Sequence, residues 1–116
     1  MQEFDIPIFK KAYDLYKQFH SVRNKAAKQD RYTIFLKAEN ILLEVIENIL
    51  EASQLSKIEK LPPLQKTSLK LNFLRVFVRL MKDIKSIDLK DYALMEESID
   101  ETGRMLGGWI KSTKLK

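Results

Sequence analysis

The chain has 116 residues, 45% of them hydrophobic and 32% charged, with a formal net charge of +5 and no cysteine. This size and balance predict a single folded domain over residues 1–116 with one apolar core, and they exclude a disordered chain. The lack of cysteine excludes disulfides and thiolate metal sites and fits a reducing cytoplasm. The sequence has no signal-peptide pattern and no apolar run long enough to span a bilayer. The positive charge favours an acidic partner, with nucleic acid ahead of an anionic membrane surface.

The first predicted helix begins at Asp5-Ile6-Pro7, where a proline in the first turn costs no hydrogen bond. It continues to about Asn24, because apolar residues recur at three- and four-residue spacing. Its predicted core stripe is Phe9, Ala12, Tyr13, Tyr16, Phe19 and His20. Residues 25–31 then form a polar, basic connection or a frayed helix end.

The second predicted helix covers about Tyr32 to Ser53. Its predicted core stripe is Phe35, Ala38, Leu42, Val45, Ile46 and Ile49. Leu36, Leu43 and Leu50 repeat every seven residues and make the apolar face wider than one core requires. Two interpretations stay open, a central helix buried on two sides and a helix that packs against another copy of the protein.

The third predicted helix follows the Leu-Pro-Pro sequence at 61–63, which ends one element and starts the next. It spans residues 64–87, and its predicted core stripe is Phe73, Phe77, Leu80, Met81 and Ile84. Leu71 and Val78 fall outside that stripe, on an apolar margin that could contact another subunit.

Arg75, Arg79 and Lys82 lie at i, i+4, i+7 spacing on the face nearly opposite this stripe, and we call them the basic ridge. Residues 62–87 carry a net charge of +5, which matches the excess of the whole chain. Their only acid is Asp83, so the ridge is predicted to lack neutralising partners. Guanidinium groups bind phosphate or carboxylate bidentately, which makes the ridge a candidate binding surface. The alternative is a solvated face that serves only solubility.

The fourth predicted helix begins after Asp88, a good N-cap residue, and runs to about Thr113. Its predicted core stripe is Leu89, Tyr92, Met95, Ile99, Gly103, Leu106 and Ile110. Four amphipathic helices with short connections predict an all-α protein, an antiparallel up-down-up-down four-helix bundle.

Arg104 and Lys111 follow one side of the fourth helix and extend the set of candidate binding residues. Asp100 and Glu101 are spaced to bond Arg104 within the helix, which is the alternative to a binding role.

Glycine is unexpected inside this helix, because each one costs about 1 kcal/mol relative to alanine. The three are Gly103, Gly107 and Gly108. They predict a close helix approach that larger residues would block, or a functional surface. Trp109 lies at the edge of the core stripe, as a core residue or a subunit-interface anchor.

The sequence offers little for catalysis. His20 is the only histidine, and with no second histidine or cysteine to share a metal it is interpreted as structural. The acidic side chains of the fourth helix are interpreted as a solvated face. No glycine-rich phosphate loop follows a strand. We therefore predict neither an enzyme nor a metal, nucleotide or other cofactor.

Residues 103–110, Gly-Arg-Met-Leu-Gly-Gly-Trp-Ile, resemble the Gly-Arg-(Ile/Met)-Leu-Gly-(Ser/Gly)-Trp-Ile signature of Avd, the accessory variability determinant of diversity-generating retroelements. Leu74-Arg75 and Arg79-Leu80 look like a pattern in the third helix of that family, and Phe35-Leu36-Lys37 agrees with the start of its second helix. A related four-helix family, encoded by intervening sequences in 23S ribosomal RNA genes, shares the architecture and is the alternative assignment.

The Avd resemblance implies a barrel-like homopentamer of four-helix bundles with a basic surface. It implies binding to the reverse transcriptase of the element and to RNA, DNA or RNA–DNA hybrid, in support of mutagenic retrohoming. On this view Arg75, Arg79, Lys82, Arg104 and Lys111 contact nucleic acid or the polymerase. Subunit or helix contacts would use Leu36, Leu43, Leu71, Val78, Gly103, Gly107, Gly108 and Trp109.

Two other classes stay open from the residues alone. A scaffold would use the basic ridge only for protein contacts. A membrane-surface protein would place aromatic side chains beside lysines on an exposed face, and here the aromatics are predicted on core stripes. We therefore expect no membrane partner.

Overall fold

The computed structural model describes residues 6–114, and all regular structure within them is helical. Four long helices and one short helix follow in chain order: α1 (Pro7–Arg23), α2 (Lys28–Arg31), α3 (Ile34–Ser53), α4 (Leu61–Asp83) and α5 (Leu89–Lys114). The four predicted helices are confirmed as α1, α3, α4 and α5. The predicted start at Asp5 lies outside the described residues.

Local chemistry explains where these helices begin and end. Proline occupies the first turn of both α1 and α4, where its missing N–H removes no helical hydrogen bond. Asp88 is confirmed as the cap of α5, since its Oδ1 accepts a hydrogen bond from the backbone N–H of Asp91 at 2.7 Å. Residues 28–31 of the predicted basic connection form the single turn α2.

The long helices surround one core, and the molecule is 48 Å long and about 20 Å across. α1 and α4 each pack against both α3 and α5. Ion pairs tie neighbouring helices at their margins: Lys11 Nζ lies 2.9 Å from Glu101 Oε2, and Lys70 Nζ lies 2.8 Å from Glu44 Oε2.

The core stripe predicted for α3 is correct, with Phe35, Ala38, Leu42, Val45 and Ile49 buried and Ile46 half-buried. Leu36 and Leu43 remain 40% and 43% exposed, so the surplus apolar face is not covered within the chain. The interpretation that α3 is buried on two sides is therefore wrong at Leu36 and Leu43.

The core face predicted for α4 is wrong. Phe73, Leu80 and Ile84 are exposed and Phe77 is half-buried; of the predicted stripe only Met81 is buried. The helix instead buries Pro63, Leu64, Thr67, Leu71, Leu74, Val78 and Met81. Leu71 and Val78 thus pack between helices of their own core and are unavailable to another subunit.

The physical reason is that α4 has two apolar stripes, and periodicity cannot tell which one faces inward. The predicted core stripe was the one nearly opposite the arginines. Long basic side chains can instead lie beside a core and reach outward to water or to an acid on a neighbouring helix. The other stripe is left on the surface as Leu69, Phe73, Val76 and Leu80, which we call the outer α4 stripe.

Smaller corrections concern α1 and α5. Tyr13 and His20 are exposed, whereas Ile8, Leu15 and Val22 share the core with Phe9, Ala12 and Phe19. Leu89 at the start of α5 is also exposed. Met95, Ile99 and Leu106 are buried as predicted.

Candidate nucleic-acid interface

The basic ridge lies on the side of α4 that meets α5, not opposite the core. Arg75 Nε donates to Asp100 Oδ1 at 3.1 Å, and Arg75 Nη1 donates to Asn72 Oδ1 at 2.6 Å. The prediction that the ridge lacks neutralising partners is wrong. Asp83 lies within ion-pair distance of Arg79 and Lys82, and Arg75 is neutralised by Asp100 of the next helix. Nothing in the local sequence of α4 could reveal this partner.

The other two ridge residues are held less tightly. Arg79 Nε and Lys82 Nζ each lie 3.8 Å from a carboxylate oxygen of Asp83, beyond hydrogen-bond distance. Lys82 Nζ also lies 4.7 Å from the centre of the Tyr92 ring, a cation–π contact between α4 and α5. Arg79 is the most exposed of the three ridge side chains, at 69%. It is therefore the ridge residue best able to bind a phosphate.

A shallow groove of about 270 Å³ runs beside the ridge, lined by Arg75, Val76, Arg79, Tyr92 and Glu96. The Tyr92 hydroxyl donates to Glu96 Oε2 at 2.6 Å, and this hydrogen bond raises the pKa of Tyr92. The groove thus presents two arginines, an aromatic ring and one carboxylate that already accepts a hydrogen bond from Tyr92.

Gly103 explains how Arg75 reaches α5. A β-carbon at this position would lie 2.7 Å from Arg75 Nη2, so the glycine makes room for the guanidinium. Gly107 and Gly108 differ, because a β-carbon at either would have no neighbour within 4 Å among the described residues. The expected close approach of another helix at these two positions is therefore wrong within the chain. Both glycines leave bare helix backbone on the surface.

Arg104 and Lys111 are exposed on the outer side of α5, around these glycines. The acids expected to bond Arg104 are engaged elsewhere, Asp100 with Arg75 and Glu101 with Lys11. The hydrogen bond from Lys11, with a smaller contribution from the charge of Arg104, lowers the pKa of Glu101. No ion pair of Arg104 or Lys111 is found within residues 6–114. These two cations are available to an external anion.

A family model described as bAvd-like matches residues 7–113. The chain belongs to the bAvd-like family. The resemblance to Avd that the α5 signature indicated is thereby confirmed. A search of curated proteins found no match to the chain.

Trp109 of this bAvd-like chain is half-buried and packs against the core. It lines an apolar groove of about 350 Å³ with Ile6, Pro7, Ile8 and Met105, and Lys60 Nζ lies 5.5 Å from its ring. The indole thus serves the chain's own packing while one edge stays open. A role as subunit anchor stays a prediction.

A polar cluster between α1 and α3 was not predicted from the sequence. Glu39 is 3% exposed, and its Oε1 accepts a hydrogen bond from the Tyr16 hydroxyl at 3.1 Å. Arg23 Nη1 lies 3.4 Å from Oε2, and His20 Nδ1 lies 3.5 Å from Oε1. A signal was present, because Glu39 falls between Phe35 and Leu42 on the core stripe of α3.

Residues 6–114 hold no group of three or more histidine, cysteine or acidic side chains that could bind a metal. Over the same range, none of the helices has both the length and the apolarity required to cross a membrane.

Proposed function

We propose that this bAvd-like protein is a non-catalytic accessory protein of a diversity-generating retroelement. It acts in the cytoplasm, binds the element's reverse transcriptase together with template RNA or its cDNA, and so supports mutagenic retrohoming. The observation that supports the proposal is the set of cations exposed on α4 and α5, which includes Arg79, Arg104 and Lys111.

The proposed architecture is an antiparallel up-down-up-down bundle. Two ion pairs support opposite directions for α1 and α5. Lys11 of α1 pairs with Glu101, whereas Lys25, just after α1, pairs with Asp91, which lies earlier in α5. Helices of opposite direction give this order of partners.

The proposed assembly is a barrel-like homo-oligomer, a pentamer by family resemblance. Each subunit carries two uncovered apolar surfaces on different helices. One is the outer α4 stripe, in which Val76 is 63% exposed. The other is a groove of about 470 Å³ between α1 and α3 whose lining includes Leu43, Ile46 and Leu50, with Leu36 farther along the same side. A contact between two different surfaces is heterologous and closes into a ring when the rotation permits.

The proposed binding mechanism is electrostatic and independent of base sequence. Each subunit offers a few phosphate contacts through Arg79, Arg104 and Lys111, with Arg75 and Lys82 beside them. An assembly repeats these weak contacts along one nucleic acid, which raises the effective concentration of each later contact. Releasing counterions makes the affinity fall steeply as salt rises.

The double variant Arg79→Ala/Arg104→Ala tests this mechanism. We expect weaker binding to a fluorescent RNA and a shallower plot of log affinity against log salt, because fewer phosphates are neutralised. The measurement is fluorescence anisotropy over a salt series. Lys57→Ala is the matched control, since it removes an exposed lysine from the α3–α4 connection. Equal affinity and slope for the double variant and wild type would remove the cationic surface from the proposal.

A protein scaffold is the second candidate. It is favoured by the outer α4 stripe, which suits protein contacts, and by the Arg75–Asp100 ion pair, which leaves one ridge cation less available to phosphate. Capture of the purified reverse transcriptase with and without nuclease separates the two functions. The proposed function requires that RNA binds the accessory protein alone. Polymerase capture by a protein that binds no RNA would favour the scaffold.

A further inference from the structure

The connection between α1 and α3 is a second basic surface, separate from the ridge. Residues 23–37 hold five lysines and arginines against a single acid, Asp30. That acid accepts a hydrogen bond from Ser86 Oγ, which ties the connection to the α4–α5 turn. Lys25 is neutralised by Asp91, with 2.8 Å between their charged atoms. Lys28, Arg31 and Lys37 form no ion pair within residues 6–114.

An aromatic ring stands on this basic surface. Tyr32 follows α2 directly and is 61% exposed. A large ring in that position buries little apolar area, so the core gives no reason for a tyrosine there. Its neighbours Lys28, one helical turn earlier, and Arg31 supply cations beside it.

Hydrogen bonds hold in place the Arg23 guanidinium against which the Tyr32 ring packs. The Arg23 guanidinium carbon lies 5.3 Å from the centre of the Tyr32 ring, in a cation–π contact. Arg23 Nε donates to the carbonyl oxygen of Arg31 at 3.0 Å, and Arg31 Nε donates to the carbonyl oxygen of Ala26 at 2.9 Å. Arg23 also lies 3.4 Å from the buried Glu39 carboxylate. The ring is therefore backed by a guanidinium that the fold already holds in place.

An exposed aromatic ring among unpaired cations is the arrangement with which proteins bind single strands, since every base has a π-face and every linkage a phosphate. We propose that Tyr32 stacks on an unpaired base of single-stranded nucleic acid while Lys28 and Arg31 contact the flanking phosphates. The inference rests on the proposed function only in taking nucleic acid as a partner. It assigns a different surface and a preference for unpaired strands.

The test compares single-stranded RNA, single-stranded DNA and duplex DNA of about 12 nucleotides, a length within the usual range for one single-strand site. The protein is the full chain as wild type, Tyr32→Ala and Tyr32→Phe. Tyr32→Phe is the matched control, because it keeps the ring and loses only the hydroxyl. Circular dichroism checks that all three variants retain the same helicity.

We expect Tyr32→Ala to weaken binding to single strands about tenfold, the usual loss when a stacking ring is removed, with little change for the duplex. Tyr32→Phe should match wild type. A strand carrying 5-iodouridine should also form a photo-crosslink at Tyr32, located by mass spectrometry.

Two results would overturn the inference while leaving the proposed function intact: unchanged single-strand affinity of Tyr32→Ala, or equal losses for duplex and single strands. A wild-type protein that binds none of the three nucleic acids would instead contradict the proposed function, and this inference with it.

Discussion

Glu39 shows how a single polar residue can be both buried and stable in this core. Its Oε1 accepts the Tyr16 hydroxyl at 3.1 Å, and the nearest cation is Arg23 Nη1, 3.4 Å from Oε2. Oε2 itself receives no hydrogen bond from the described residues. Burial, together with the hydrogen bond to Glu39, raises the pKa of Tyr16. The Glu39 carboxylate links α3 to α1, so removing its charge should weaken the packing of both helices.

We predict that Glu39→Gln lowers the free energy of unfolding by about 2 kcal/mol, because Arg23 loses the counter-charge of a mostly buried ion pair. Urea denaturation followed by circular dichroism measures the change. Glu44→Gln, on the same helix, is the control: Glu44 pairs with Lys70 at the surface, where ion pairs contribute little. Equal losses in the two variants would mean that the Glu39 charge has no special role.

α4 illustrates which part of an element can be predicted from sequence. Its existence and start follow from proline placement and apolar spacing, which are local properties. Its orientation depends on which of two apolar stripes the neighbouring helices cover, and that is decided by the rest of the fold. Leu74 and Val78 are buried, whereas Leu69 and Val76 are exposed on the same helix.

The orientation of α4 predicts a contrast between two leucines. Leu74→Ala should lower the free energy of unfolding by about 2–5 kcal/mol, since it leaves a cavity in the core. Leu69→Ala should change the stability of the subunit little, because Leu69 is half-exposed on the outer α4 stripe. Chemical denaturation at low protein concentration reports both values. A larger loss for Leu69→Ala would mean that α4 is turned the other way.

For the whole molecule, the order and number of long helices were predictable, because caps, prolines and amphipathic spacing act within each segment. For the candidate site, the sequence predicted which basic residues it contains but not which of them are neutralised by acids. Arg75 was assigned to binding, yet Asp100 from another helix accepts its hydrogen bond. For Arg104 the alternative to binding was neutralisation by Asp100 and Glu101, yet both acids form ion pairs with residues of other helices. Ion pairs between residues far apart in the sequence decide which cations are available to a partner, and local sequence patterns do not reveal these pairs.

The central claim is that this protein assembles through its exposed apolar surfaces and binds nucleic acid through its cationic ones. Light scattering on the purified protein, with and without a short single-stranded RNA, tests both parts together. Leu69→Asp serves as the matched variant, because it places a charge in the outer α4 stripe without touching the core or the groove that Arg75 and Arg79 line.

We predict a mass of about five times the 13.7 kDa subunit, a further rise with RNA that weakens as salt is added, and a smaller particle for Leu69→Asp. A wild-type monomer whose mass is unaffected by RNA would contradict it.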